Sequence, residues 1–272
     1  MSTAPIGVFD SGVGGLSVLR EIRAQLPAER LIYFADSGHC PYGGKPQTEI
    51  QARSMAITEN LLTSGAKLIV VACNTATIAA VELLRATYPV PFVGMEPAIK
   101  PAVAATRSGV VGVLATGAAL GGQKFHHLLQ QHARDVRMIT QPCPGLVEHV
   151  ERGDIDSAEL RALLRAYLQP LLDAGADVLV LGCTHYPFLR AAIAGIVGPD
   201  VQLLDTGAAV ARQTRRLLER ECLLAPDGEG GVEWRSSGDA AAVQAVIDRL
   251  WAPASLERVI PATEAATAQS RA

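Results

Sequence analysis

The sequence predicts an α/β protein made of two similar, pseudo-symmetric lobes with largely parallel sheets. Short apolar and β-branched runs recur along the 272-residue chain and alternate with helical patterns. Two groups of motifs also occur twice, in the same order. Apolar residues make up 49% of the chain and charged residues 19%, which suits a packed core and argues against disorder.

Continuous apolar runs mark the predicted strands. Such runs are typical of parallel strands that are buried on both faces of a sheet. Between them, the clearest helical pattern covers residues 158–175, where leucines recur on one stripe and Gly175 is the stop signal. The predicted strands are residues 6–9, 31–35, 68–72, 91–95, 111–115, 137–140, 178–182 and 202–205.

An internal repeat supports two lobes. Residues 6–15 (IGVFDSGVGG) resemble residues 111–120 (VGVLATGAAL), and residues 70–77 (VVACNTAT) resemble residues 180–187 (VLGCTHYP). A shared strand–turn–helix rhythm would explain the apolar positions of the repeat. It would not explain a cysteine followed by Asn-Thr or by Thr-His at the same place in both halves.

We therefore predict the following domain boundaries. The first lobe covers residues 1–97 and is completed by residues 208–258, where the chain returns to it. The second lobe covers residues 98–207. Residues 259–272 lose the periodicity and end in small polar residues, so we expect a disordered tail there.

Composition excludes several classes of function. The net charge is −3 with no long run of one sign, which argues against a nucleic-acid partner. No apolar stretch is long enough to span a bilayer, and the first residues show no signal-peptide pattern. Five sparse cysteines then indicate reduced thiols rather than a disulfide framework. We expect a cytoplasmic protein that binds neither nucleic acid nor membrane.

Cys73 and Cys183 are the strongest candidates for chemistry. Each ends an apolar run, and ligands of open α/β sheets bind at the carboxyl ends of the strands. A helix that starts just behind such a thiol favours its thiolate form. A single cysteine is more often a small buried apolar residue. Two cysteines at matching positions of a repeat favour a functional interpretation.

Polar residues directly after each cysteine are candidate ligand contacts. Asn74, Thr75, Thr184 and His185 could hold a carboxylate at a helix N-terminus. The alternative is ordinary helix capping by Asn and Thr, and the two interpretations are compatible. Because His185 lies in the loop of a candidate thiol, it is also a candidate base or a group that tunes proton transfer.

Three further positions are less specific in sequence. Asp10 follows the first strand and, taken alone, is interpreted as a helix N-cap. Tyr42 and Gly43 follow the second strand in a turn, where they are candidate substrate contacts. Glu151 is a candidate carboxylate near the second thiol, but spacing does not separate it from Glu148.

Nucleotide and metal sites are disfavoured. The glycines at residues 12–15 do not have the spacing of a dinucleotide-binding turn, and the chain has no phosphate-binding loop of the GxxxxGK[ST] type. No pair of cysteines has zinc-finger spacing, and Cys183 and His185 are separated by one residue only. We expect no metal site.

Together these motifs closely resemble the glutamate racemase family. The matching segments extend in order from residue 6 to about residue 250. The resemblance implies a two-lobe α/β fold with the active site between the lobes. It implies interconversion of L- and D-glutamate without pyridoxal phosphate, other cofactor or metal, supplying D-glutamate for peptidoglycan. The segments are residues 9–18, 35–43, 72–77, 146–153, 181–189 and 236–239.

The resemblance also assigns roles to residues. The family's two catalytic thiols map onto Cys73 and Cys183, which would act as two bases at the α-carbon. Its assisting polar residues map onto Asp10, Glu151 and His185. The substrate contacts that it implies are Asp10, Ser11, Tyr42, Gly43, Asn74, Thr75, Thr116, Thr184 and His185.

Two alternatives stay open at the level of sequence. The related aspartate racemases look similar around both cysteines but tend to carry Glu in place of His185, so this residue favours glutamate. A non-catalytic regulatory protein on the same fold is the other alternative, and the presence of both thiols favours an enzyme. The sequence does not determine the oligomeric state, for which a homodimer is one candidate.

Overall fold

The fold is described from a computed structural model, which describes residues 1–117, 129–131, 133, 135–251 and 260–261. Contacts between residues divide the chain into two units. Unit 1 consists of Met1–Met95 and Gly207–Ala272, and unit 2 consists of Glu96–Thr206.

Every run that the sequence predicts as a strand coincides with or overlaps a strand of the structure. Two short strands that we did not predict, β9 and β10, follow near the end of the chain. In chain order the strands are β1 (Ile6–Asp10), β2 (Leu31–Ala35), β3 (Leu68–Val71), β4 (Phe92–Val93), β5 (Val110–Ala115), β6 (Arg137–Pro142), β7 (Val178–Leu181), β8 (Gln202–Leu204), β9 (Val232–Ser236) and β10 (Ile260–Pro261).

Helices alternate with these strands, as the sequence predicts. Three short 3₁₀ turns lie within the described residues as well, at Ser37–His39, Tyr42–Gly44 and Tyr186–Leu189. The described α-helices are α1 (Leu16–Gln25), α2 (Gln47–Thr63), α3 (Asn74–Thr87), α4 (Ile99–Ala105), α5 (Leu146–Glu151), α6 (Ala158–Asp173), α7 (Arg190–Val197), α8 (Gly207–Arg220) and α9 (Ala240–Trp251).

Both units contain a parallel sheet with the same arrangement of its first four strands. In unit 1 the order is β10-β9-β2-β1-β3-β4, and in unit 2 it is β6-β5-β7-β8. The described strand pairs in both sheets are parallel. The first strand of each unit therefore lies between the second and the third. This common order confirms the prediction of two similar α/β lobes with largely parallel sheets.

The last strand lies within the predicted tail. Only Ile260 and Pro261 are described in the range 259–272, and they pair with Arg235 and Ser236 of β9. At these two residues the chain forms an edge strand of the sheet through its pairing with β9. The rest of the predicted tail lies outside the described residues.

The core of unit 1 forms around β1. Phe9 is fully buried in a cluster with residues of α2 and α3, while Ile6 and Val8 alternate to the other face of the strand. Burial of one such side chain contributes about 1.5–3 kcal/mol. Gly7 permits close packing, since a Cβ there would lie 3.0 Å from a methyl group of Leu61 in α2.

Unit 2 repeats this packing around β5. Valines of β5 and β7 are buried against Ile99 and Ala102 of α4. Gly112, the counterpart of Gly7 in the repeat, faces α6, where an added Cβ would lie 2.9 Å from Leu171. Helix α6 is capped by the Ser157 hydroxyl, which accepts the Leu160 N–H. After α6 the chain turns at Gly175, which has a φ of +84°. This position agrees with the predicted end of the helix.

None of the described helices combines the length and apolar character that a bilayer crossing requires.

Candidate active site

In each unit the predicted site residues follow the carboxyl ends of the strands. Asp10 ends β1, Tyr42 lies in the turn after β2, and Cys73 follows β3. In unit 2, Thr116 follows β5 and Cys183 follows β7. Because β3 and β7 have the same place in the two sheet orders, the two cysteines occupy equivalent positions of the repeat. Ligands of parallel α/β sheets bind at this edge.

Cys73 is the N-cap residue of α3. Its sulfur accepts the Ala76 N–H at 3.4 Å and lies 3.7 Å from the Ser11 hydroxyl oxygen. The capping role that we considered for Asn74 and Thr75 is therefore wrong, since both residues lie inside the first helical turn and are buried. A sulfur at this position is favoured as a thiolate, because the free N–H groups and the helix dipole stabilise negative charge.

Asp10 and Ser11 form the polar side of the first thiol. The Asp10 carboxylate is fully buried and accepts the Gly12 N–H at 2.8 Å and the Ser11 hydroxyl at 3.4 Å. The Ser11 hydroxyl thus lies between the carboxylate and the sulfur of Cys73. The interpretation of Asp10 as a helix N-cap is wrong, because α1 begins at Leu16 and its N-cap residue is Gly15.

The glycine-rich segment after β1 has a steric role at Asp10. A Cβ added to Gly15 would lie 2.7 Å from the Asp10 Cβ and 2.9 Å from the hydroxyl oxygen of Tyr33. Such distances are shorter than van der Waals contact, so only glycine lets the start of α1 approach Asp10 this closely. The steric requirement accounts for this glycine without any nucleotide.

Tyr42 presents its hydroxyl to the protein interior. Its side chain is buried, and the hydroxyl donates to the Asp36 carboxylate at 2.5 Å. Burial and the charge of Asp36 raise the pKa of Tyr42 well above its usual value, which keeps the phenol protonated. The next residue, Gly43, is half-buried.

Cys183, His185 and Glu151 form a connected group in unit 2. The Cys183 sulfur lies 3.6 Å from His185 Nδ1, and His185 Nε2 lies 2.6 Å from Glu151 Oε1. Cys183 and His185 are buried, whereas the Glu151 side chain is 17% exposed. Glu151 ends α5, so the fold distinguishes it from the exposed Glu148 one turn earlier, which residue spacing alone did not.

This arrangement constrains the protons on His185. An ionised carboxylate only accepts hydrogen bonds, so Nε2 carries the hydrogen that Glu151 receives. In the neutral ring, Nδ1 then carries the lone pair that can accept the proton of the Cys183 thiol. The imidazole can take the thiol proton and share it with the sulfur, which is the usual way to activate a cysteine nucleophile or base.

The surroundings of the two thiols differ. Cys183 is followed by the 3₁₀ turn Tyr186–Leu189, and the next α-helix, α7, begins only at Arg190. Our expectation that a helix starts just behind each thiol therefore applies to Cys73 alone. At Cys183 the polar contact comes from a side chain, His185, because the short turn offers no comparable helix terminus.

Thr184 and Thr116 lie at the same sheet edge. Thr184, which lies between Cys183 and His185 in the sequence, is buried. Thr116 directly follows β5 and is half-buried. In the repeat, Thr116 corresponds to Ser11, so each first strand is followed by a hydroxyl residue. The described geometry thus brings every predicted site residue to the carboxyl end of a strand or to a turn or helix beside it.

Sequence reasoning missed Cys143 and Tyr186. The Tyr186 hydroxyl donates to the Cys143 carbonyl at 3.4 Å and so links the residue after His185 to the turn that starts α5. Burial, followed by the negative charge of Cys183, raises the pKa of Cys143 to about 12, so this thiol stays protonated. The signal was the turn CPG at 143–145, which follows the second strand of its unit as the Cys-Pro turn at residues 40–41 does in unit 1.

Sequence reasoning also missed Asp36 and Arg53. Asp36 is fully buried after β2, and Arg53 of α2 donates to it through two nitrogens. Asp36 falls within the segment 35–43 that carries the resemblance, but nothing in its spacing indicated a partner in α2.

Comparison with known proteins gives consistent matches over most of the chain. The family model for Asp/Glu/Hydantoin racemases matches residues 6–214. The glutamate racemase of Herpetosiphon aurantiacus is 58% identical over 242 residues, which are 89% of this chain and 95% of that protein.

Solved structures agree with this match. The crystal structure of glutamate racemase isoform RacE1 from Bacillus anthracis aligns with a TM-score of 0.84 at 29% identity, covering 96% of this chain and 97% of that one. The Escherichia coli glutamate racemase, solved in complex with L-glutamate and the activator UDP-MurNAc-ala, aligns with a TM-score of 0.83 at 34% identity. That alignment covers 94% of this chain and 97% of the other.

Proposed function

This chain belongs to the Asp/Glu/Hydantoin racemase family and is a racemase, and from this premise we propose that its substrate is glutamate. Relatives that are 55–58% identical over most of the chain carry the name glutamate racemase. The Escherichia coli structure with L-glutamate supports the same choice of substrate. His185 in place of the Glu that aspartate racemases tend to carry also favours glutamate over aspartate.

The single observation that supports a two-base mechanism is the equivalence of Cys73 and Cys183. Each follows the third strand of its unit, and each has its own polar partners. Racemisation removes the α-hydrogen as a proton and returns a proton to the opposite face of the carbanion. Two thiols, one deprotonated and one protonated, supply the base and the acid for one direction and exchange roles in the other.

The two thiols are activated in different ways. A free thiol titrates near ~8.5, so each needs help to act near neutral pH. We propose that the start of α3 and the Asp10–Ser11 pair serve Cys73. His185, oriented by Glu151, serves Cys183. From the family resemblance, Cys73 deprotonates D-glutamate and Cys183 deprotonates L-glutamate.

The predicted contact residues, three of which also serve a thiol, are proposed to bind the substrate. Hydroxyl, amide and main-chain N–H groups at the strand ends suit the two carboxylates of glutamate, because N–H groups at a helix start bind anions. Fixed donors there stabilise the carbanion without mobile solvent. The residues are Asp10, Ser11, Gly43, Asn74, Thr75, Thr116, Thr184 and His185, and Tyr42 is proposed to contribute through the turn that carries Gly43.

We propose that the reaction needs no pyridoxal phosphate or metal and supplies D-glutamate for peptidoglycan. We also propose the cytoplasm as its place of action. Activity should then survive dialysis against EDTA and treatment with hydroxylamine. Loss of activity that metal or pyridoxal phosphate restores would contradict the thiol mechanism.

Circular dichroism tests the substrate assignment directly. L- or D-glutamate is incubated with the purified protein, and optical activity should decay to zero from either enantiomer without added cofactor. L-aspartate should not be racemised at a comparable rate. Equal or faster turnover of aspartate would contradict the glutamate assignment and support the aspartate racemase alternative.

Solvent isotope incorporation tests the two-base mechanism. In D₂O, early product should carry deuterium at the α-carbon while recovered substrate stays unlabelled, from either enantiomer. One base that serves both faces would instead return some original hydrogen to the product and would label the substrate as well. Replacement of Cys183 with Ala should abolish inversion, and racemisation at near wild-type rate would contradict a catalytic role for this thiol.

A further inference from the structure

Outside the proposed chemistry, Asp36 is the carboxylate with the most side-chain partners among the described residues of unit 1. It directly follows β2 and is fully buried. Its Oδ2 accepts the Tyr42 hydroxyl at 2.5 Å and Arg53 Nε–H at 3.0 Å. Its Oδ1 accepts Arg53 Nη2–H at 2.7 Å and lies 3.1 Å from His39 Nδ1.

A fourth partner residue, Ser237, directly follows β9. Its hydroxyl group helps to lower the pKa of Asp36, and its oxygen accepts the Gly38 N–H at 3.2 Å. We refer to Asp36, His39, Tyr42, Arg53 and Ser237 as the Asp36 cluster. Burial alone would raise the pKa of Asp36, but the hydrogen bonds from Arg53, Ser237 and Tyr42 outweigh burial and lower it.

The Asp36 cluster surrounds one short segment. The turn from Ser37 to Gly44 starts at Asp36 and carries Tyr42 and Gly43, whereas Arg53 reaches it from α2 and Ser237 from β9. Buried ion pairs are weak contributors to stability, because desolvation offsets much of their attraction. A carboxylate that Arg53 holds in a bidentate geometry from a separate helix is well suited to fix the conformation of that turn.

We propose that Asp36 and Arg53 are positioning residues that hold Tyr42 and thereby fix the Gly43 main chain for substrate binding. This inference rests on the proposed function, in which Gly43 contacts glutamate. Asp36 does not act on the substrate itself, since both of its oxygens already accept hydrogen bonds from protein donors and it has no exposed surface. The Tyr42 hydroxyl also forms its hydrogen bond within the protein, to Asp36, and acts through that contact.

The expected kinetic signature differs from that of a catalytic residue. Main-chain groups that bind the substrate in both the ground and the transition state mainly affect KM. Disturbing the turn should therefore raise KM for both enantiomers and leave kcat and its pH profile close to wild type. A residue that moves protons would instead lower kcat and change the pH profile.

The experiment compares Tyr42→Phe, Asp36→Asn, Arg53→Met and the double variant Tyr42→Phe/Asp36→Asn. Each single variant should raise KM about tenfold, which corresponds to about 1.4 kcal/mol of lost binding. The double variant should resemble the worse single variant, because residues of one hydrogen-bonded network are not additive. Arg53→Lys keeps the charge but loses the bidentate geometry, so it should recover part of the affinity.

A matched control is the buried ion pair between Glu29 and Lys67, with a distance of 2.7 Å. These residues precede β2 and β3, at the other end of the sheet from Asp36. Glu29→Gln should lower the urea midpoint of unfolding and leave KM unchanged. Tyr42→Phe keeps the buried ring, so it tests the proposal even if Asp36→Asn fails to fold.

Two outcomes would overturn the inference. One is a wild-type KM in folded Tyr42→Phe and Arg53→Met, and the other is a loss of kcat with a changed pH profile at constant KM. Both are measured against a wild-type protein that racemises glutamate. A wild-type protein without this activity would overturn the proposed function, and the inference with it.

Discussion

Glu151 Oε1 lies 2.6 Å from Nε2 of His185, whose other ring nitrogen lies 3.6 Å from the Cys183 sulfur. Glu151 is 34 positions away from His185 in the chain and reaches it because α5 ends there. In the proposed mechanism the carboxylate fixes the orientation of the ring and its hydrogen, and it stabilises the imidazolium that forms when the thiol loses its proton. The second thiol would then depend on a residue that spacing alone does not separate from Glu148.

The first prediction concerns Glu151→Gln. The amide keeps the size of the side chain but removes the charge that stabilises the imidazolium, so activation of Cys183 weakens. We expect kcat/KM to fall on the order of 10²-fold. Because L- and D-glutamate have equal free energy, it must fall by the same factor in both directions.

Glu151→Gln should affect the proton transfer at Cys183 more than the one at Cys73, and this difference should appear in the primary isotope effects. If Cys183 deprotonates L-glutamate, substrate deuterated at the α-carbon should show a larger increase in isotope effect from the L side than from the D side. Glu148→Gln, one turn away on the exposed face of α5, is the control and should behave like wild type. Equal activity of the two variants would contradict the role of Glu151.

The second prediction concerns the cap at Cys73. Its sulfur accepts the Ala76 N–H, so replacement with Ala removes an N-cap acceptor from α3, whereas Ser retains one. We expect Cys73→Ala to be less stable than Cys73→Ser by about 1 kcal/mol in urea unfolding, and both variants to be inactive. Stability and activity are thus separated at one position. An active Cys73→Ser variant would contradict the assignment of Cys73 as a base.

Much of this fold could be predicted from the sequence, because parallel strands that are buried on both faces can be recognised as continuous apolar runs. Strand β9 (VEWRS) was missed because charged residues interrupt it. The structure accounts for that exception. Arg235 is buried and donates to Glu233, to the Asn60 side chain and to the Ser64 hydroxyl, so a charged residue is tolerated in an inner strand.

The site was predictable where its residues are local in sequence, and less so elsewhere. Cys183 and His185 share one loop, so their contact could be expected from sequence. The partner of Asp36 is Arg53, 17 positions away in α2, and the choice between Glu148 and Glu151 depends on where α5 ends. Such contacts arise from the packing of separate elements, which single-sequence patterns do not encode.

The third prediction is a pH dependence in unit 2. Asp177 accepts hydrogen bonds from the Thr106 hydroxyl at 2.5 Å and from the N–H groups of Arg107 and Ser108 at 2.8 Å and 2.9 Å. Burial acts to raise the pKa of Asp177, but these bonds outweigh it and lower the pKa from 3.8 to about 2. A lowered folded-state pKa means that the charged form is the one stabilised by folding.

Protonation of Asp177 in acid should therefore lower the free energy of unfolding. The contribution of Asp177 is fully present above the unfolded pKa near ~3.9 and is lost as the pH falls toward the folded value. The free energy of unfolding of wild type should therefore decline more steeply between pH 4 and pH 2 than that of Asp177→Asn. Asp156→Asn is the control, since Asp156 is an exposed aspartate of the same unit. Parallel acid profiles for wild type and Asp177→Asn would contradict this account.

The last prediction tests the steric role of Gly15 beside the first thiol. Its backbone angles, φ −62° and ψ −10°, are ordinary for any residue, so the need for glycine comes from space and not from conformation. In Gly15→Ala the new methyl group would lie 2.7 Å from the Asp10 Cβ, and Asp10 must move to relieve the overlap. The Asp10 carboxylate holds the Ser11 hydroxyl next to the Cys73 sulfur. We expect kcat to fall by at least about tenfold, because small displacements of a catalytic group are costly.

Gly44→Ala is the matched control, because a Cβ there meets no atom within 4 Å, and this variant should keep wild-type kcat. Circular dichroism of both folded variants with L-glutamate decides the question, and a Gly15→Ala protein with wild-type kcat would show that Asp10 is not held in place by this contact.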